Sequence, residues 1–150
     1  MYAWGQGDSS WYYGGWRYSW NSQSDNSAAQ WAAIGIVAAE RTPAHVDPGA
    51  DTVPGTADDV ILDYWGSVPD WVKIRNNQWL NYSFHPAGYF GYTGTSPNRA
   101  YSTGPCGMVQ LAFDGFDVTD PRWVACEAYL ANNWGGFIST GHDARYYSYY

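Results

Sequence analysis

The stretch 14–41, GGWRYSWNSQSDNSAAQWAAIGIVAAER, constrains this chain more than any other. A Gly-Gly-aromatic turn (Gly14, Gly15, Trp16, Arg17, Tyr18) opens it, and a polar run follows. Asp25, Asn26 and Ser27 then offer side-chain oxygens to the bare amides of a first helical turn. The apolar spacing beyond them predicts a helix to about Glu40, stopped before Pro43. Ala28, Trp31, Ile34 or Gly35 and Ala38 fall on one stripe, so Trp31 reads as a packing residue. The small residues around it allow a neighbouring helix to come close.

The layout returns further along. A second helix is expected from near Ser67 to Ser83, with Pro69 in its first turn and Asp70 favouring its dipole. A third spans roughly Ala100 to Phe113, with Pro105 inside it and pointing to a later true start. Asp120 caps a fourth, Pro121 takes its first position, and it runs to about Asn133. Gly-aromatic turns recur at 88–97 and 135–137, and 145–150 begins another helix. Pro69-Asp70-Trp71-Val72 matches Pro121-Arg122-Trp123-Val124, and Arg99-Ala100-Tyr101-Ser102 matches Arg145-Tyr146-Tyr147-Ser148. Aligning Ser27 with Ser102 places Trp31 on Cys106, Ala33 on Met108 and Ile34 on Val109. The expected fold is therefore all-α: helical hairpins repeating every ~45–50 residues, as in helical arrays. One unit spans 14–83 and carries an inserted loop at 42–66. A second spans 88–134, and a truncated third covers 135–150.

The net charge of −7 argues against nucleic acid, which needs basic patches against its phosphates, and Lys73 is the sole lysine. No apolar run approaches the ~20 residues of a membrane-spanning helix. Few charges among many Gly, Ser, Asn, Tyr and Trp point to an extracellular or cell-surface protein.

GGWRY, then Asp25-x-Ser27, then Trp31 in an Ala-rich helix resembles the prenyltransferase and squalene-oxidase repeat. The likeness is closest over 14–41 and partial over 88–134. It implies an α/α toroid, or an open array of the same hairpins. In the cyclase branch an Asp-x-Asp-Asp motif protonates the substrate, and here Thr56-Ala57-Asp58-Asp59 has lost the first Asp. In the prenyltransferase branch Asp, Cys and His hold zinc. Cys106, Cys126, His45, His85, His142 and Asp143 are the stock here, and none forms a tight ligand spacing. Cys106-Gly107-Met108-Val109-Gln110 is similar to a thioester segment, with the Gln one place too far and the Glu missing.

The residues themselves nominate three other sites. Asp47, Asp51 and Asp58 hold the first, fifth and twelfth places of a calcium loop, with Asp59 beside them. Gly49 stands third and Thr52 sixth, where a glycine is expected, so the segment is closer to an Asp/Gly calcium loop than to an EF-hand. Cys106 and Cys126 lie equally far from Phe116, so an antiparallel hairpin sets them level, as a disulfide or as two buried thiols. Trp4, Trp11, Trp16, Tyr147, Tyr149 and Tyr150 are candidates for an interface, with a carbohydrate, a protein or a second copy. The expected function is a non-catalytic repeat domain that self-associates head to tail, into a filament if the contact stays open, with calcium stiffening the 42–66 loop. The alternative is an enzyme domain of the toroid family acting on an isoprenoid or polysaccharide.

Overall fold

A computed structural model describes residues 6, 14–19, 22–41, 43–53, 55–64, 66, 68–97 and 100–135. Four helices dominate: α1 (Asn26–Glu40), α2 (Asp70–Ser83), α3 (Ala100–Asp114) and α4 (Pro121–Asn133). Each start follows from local chemistry. Asp25 Oδ1 accepts from the Ala28 amide and the Ser27 hydroxyl, both at 2.7 Å. Asp120 Oδ1 accepts from the Arg122 amide at 2.8 Å, and Pro121 fills the first turn, where its missing N–H costs nothing. Pro69 stands just before α2. Helix α3 continues through Pro105 from Ala100, so its start is not delayed.

Two small antiparallel sheets correct the all-α expectation. The 42–66 insertion is a ribbon of β1 (Pro43–Asp47) and β2 (Val60–Tyr64). Val60 and Ile61 in β2 prefer a pleated backbone, and Gly49, Gly55 and Thr52 take the positive φ that its tip requires. Glu40, ending α1, accepts from the Val68 amide just before α2 and so ties the base of the insertion. The second sheet is a short hairpin of β3 (Phe84–His85) and β4 (Tyr89–Phe90), whose second strand lies in the 88–97 turn region.

Helix α3 is central, packing on α1, α2 and α4. One apolar cluster joins Trp16, Ala29, Ala33, Val68, Val72 and Phe113. The other joins Leu80, Phe90, Leu111 and Cys126. Trp31 is a second correction: it is 57% exposed, while Ala29 and Ala33 turn inward. Helix α1 approaches α3 through its small face, which leaves no room there for an indole. The close fit continues at Gly107, where an added Cβ would stand 2.2 Å from the Phe90 ring.

Asn26 ties these layers together. Its amide nitrogen donates to Ser83 Oγ (3.0 Å) and the Gly91 carbonyl (2.7 Å). Its Oδ1 accepts from Trp79 Nε1 (2.8 Å) and Gln110 Nε2 (3.0 Å). One fully buried side chain thus links α1, α2, α3 and the residue after β4.

Candidate functional site

A groove of about 640 Å³ opens between α1, α3 and α4. Helix α1 supplies Ala33, Ile34, Val37, Ala38 and Arg41. Helix α3 supplies Pro105, Met108, Val109, Ala112 and Phe113, and α4 adds Trp123 and Leu130. Arg41 is the sole charged residue of this lining. Both apolar clusters reach the surface here. Ala33, Val37 and Phe113 belong to or pack on the first, and Met108, Trp123 and Leu130 pack on the second. The groove can hold an apolar chain or receive a helix.

The nominated metal residues sit at the ribbon tip, and their carboxylates fold onto the loop itself. Asp58 Oδ2 accepts from the Ala50 and Asp51 amides at 2.9 and 3.4 Å, and its Oδ1 from the Thr56 hydroxyl at 2.8 Å. Asp59 takes the Gly55 amide at 2.7 Å, Asp51 that of Val53 at 2.8 Å, and Asp47 that of Gly49 at 3.1 Å. The Thr56 hydrogen bond leads the causes that hold the Asp58 carboxyl below the usual carboxylate range. Among the described residues no three His, Cys, Asp or Glu side chains are grouped to hold a metal.

Cys106 and Cys126 are both buried and both free thiols, which corrects the disulfide alternative. Cys106 Sγ donates back to the Ser102 carbonyl at 3.0 Å. Cys126 Sγ instead lies against Gly104, two residues earlier on α3. Burial pushes each thiol up to about 12.

Trp16, nominated for an interface, is instead a core residue, 6% exposed and edge-on to Phe113 at 6.2 Å. The Gly14–Gly15 turn folds it inward, and its carbonyl accepts from the Asp25 amide at 3.1 Å. Arg17 stands 3.7 Å from Asp25, an ion pair beyond hydrogen-bond reach. The Gly-aromatic turn and the Asp25 cap thus form one structural unit. Trp4, Trp11, Tyr147, Tyr149 and Tyr150 lie outside the described residues, as do His142 and Asp143.

Sequence reasoning missed Asn76, Gln110 and Asp114. Asn76 and Gln110 are fully buried. Asp114 is half-buried at the end of α3, and burial is the main cause that pushes its carboxyl up to about 7. The available signal was position: Asn76 follows Val72 by one turn, and Gln110 follows Cys106 by one turn, so each sits on an apolar stripe. Among the described residues no helix is long and apolar enough to cross a membrane. No protein-family model, curated protein or solved structure matches this chain.

Proposed function

We propose that this chain is a non-catalytic, extracellular or cell-surface helical-repeat domain that self-associates through the α1–α3–α4 groove. The observation that carries it is the correspondence of α1 and α3 at that groove. Ala33, Ile34, Val37 and Ala38 stand at a constant offset of 75 from Met108, Val109, Ala112 and Phe113, and all eight line it. Stacked repeats present corresponding positions to a shared seam, and each buries its apolar face against a neighbour of its own kind. This supports the hairpin array of the prenyltransferase-like repeat. The seam is continuous with both core clusters, so an apolar helical surface suits it. A second copy carries such a surface on α1, where Trp31, outside the groove lining, is 57% exposed. A contact between two different faces leaves a free end on each side and extends into a chain. Each copy carries −7, which opposes contact, so salt should strengthen it.

Sedimentation velocity over a concentration series, at low and high salt, tests this. Dimers and longer species should grow with salt, and Ile34→Asp should weaken association about tenfold or more. The ribbon-tip aspartates accept from the loop's own amides, so unchanged assembly under chelator would leave those bonds alone to hold the tip, and dispersal by chelator would assign calcium the stiffening role. A monomer at every concentration and salt would refute self-association. A monomer stabilised by an isoprenoid alcohol would favour the enzyme reading instead, with the groove as its cavity.

A further inference from the structure

A second concavity lies where α2 meets the end of α3 and the 115–120 connection. Its volume is about 320 Å³, and it is lined by Asp70, Lys73, Ile74, Asn77, Asp114 and Phe116. Beside it stands a carboxyl–carboxamide pair: Asn76 Nδ2 donates to both oxygens of Asp114, each at 3.1 Å. Asn76 is fully buried, and its Oδ1 has no hydrogen-bond partner. Two cations face Asp114, Lys73 from α2 and Arg122 from α4, and each is engaged elsewhere. Arg122 spans Asp120, Asn77 and Asn81 and stacks over Phe116 at 4.8 Å. Lys73 Nζ lies 5.5 Å over the Phe113 ring. Asp114 is therefore a largely desolvated carboxyl with spare acceptor capacity, opening on a pocket.

We propose that this pocket binds one neutral, polyhydroxylated molecule of monosaccharide size. The lining selects that class by elimination. Two carboxylates disfavour an anion. Lys73 disfavours a cation. The volume, near the lower end of the ~300–1,000 Å³ typical of small-molecule sites, excludes a long chain. A polyol satisfies both polar types, its hydroxyls donating to Asp114 and Asp70 and accepting from Lys73. Ile74, 58% exposed, and Phe116 offer an apolar surface to ring C–H groups. A carboxyl pushed up by burial is the group a new donor relieves most, because a hydrogen bond to the ionised form offsets part of its lost solvation. The proposal does not use the groove, so the two stand or fall separately.

The test is titration of the full chain with a panel of neutral monosaccharides and their methyl glycosides, followed by amide chemical shifts. At least one sugar should bind with Kd about 1–10 mM, moving the amides of 70–77 and 114–116. Binding should tighten as pH rises through 7, when Asp114 ionises. Asp114→Asn should weaken binding tenfold or more, and Lys73→Met should weaken it by a smaller factor. A merely structural Asp114 would leave sugar affinity and its pH profile unmoved. The proposal is overturned if no sugar moves those amides, if Asp114→Asn binds as well as the parent, or if an ammonium or phosphate ion occupies the pocket in preference to every sugar.

Discussion

Asn26→Ala tests the core design most directly. The side chain makes four hydrogen bonds in a fully buried position. Two of its partners keep a second bond when it is truncated. Ser83 Oγ still donates to the Leu80 carbonyl at 3.4 Å, and Gln110 Nε2 still donates to the Cys106 carbonyl at 3.0 Å. The Trp79 indole N–H and the Gly91 carbonyl lose theirs, and Trp79 has no exposure through which water could replace it. An orphaned buried polar group costs about 1–3 kcal/mol, so two predict a loss of about 2–6 kcal/mol, reaching the severe tail for single substitutions. Urea unfolding followed by helical circular dichroism would measure it, with a lower midpoint and an unchanged slope. Tryptophan emission should shift in the native baseline, because the Trp79 indole is one of the released partners. Asn26→Asp should also destabilise, since it sets a carboxylate oxygen against the Gly91 carbonyl, which now accepts from the amide at 2.7 Å. A loss below about 1 kcal/mol for Asn26→Ala would refute the reasoning, because it would mean that the orphaned groups find other partners cheaply.

Gly107→Ala should cost about 2–3 kcal/mol or more, because its Cβ would stand 2.2–2.7 Å from Phe90 ring atoms, and thermal unfolding would read the loss. Asp114→Asn should stabilise the chain progressively as pH rises. The folded carboxyl titrates near 7 against 3.8 for an ordinary Asp, so the folded state holds its proton longer. Stability contributed by Asp114 therefore falls between about pH 4 and 7. The variant should match the parent near pH 4 and exceed it by about 2–4 kcal/mol at pH 8, measured by urea unfolding at both values. Cys106 and Cys126 should resist a thiol reagent in the native chain and both react after denaturation, since each is buried and protonated; fast native labelling would contradict their burial.

Helix positions were legible because the signals that set them are local. Asp25, Pro69, Asp120 and Pro121 act within one turn of the residues they cap or start. Facing was less legible. The stripe through Trp31 satisfies helical periodicity as well as the true one through Ala29 and Ala33, and nothing local says which meets α3. The repeated Pro-x-Trp-Val shows the same limit. In α2, Val72 is buried and Trp71 exposed, whereas in α4, Trp123 packs against the core and Val124 is exposed. The insertion read as a loop because its Pro, Gly and Asp turn chemistry masked two five-residue strands.

The sequence by itself determined the four helices and the Asp25 and Asp120 caps, because each depends on neighbours in the chain. Tertiary structure alone decided that Trp16 closes the core, that the aspartates of the ribbon tip bond its own amides, and that Asn26 joins three helices. It also decided that one groove opens where two clusters surface and that Asp114 stands beside a separate pocket. Burial and partnership are relations between distant segments: Asn26 and Gln110 meet across 84 residues, and no local pattern encodes which polar groups will lose water together.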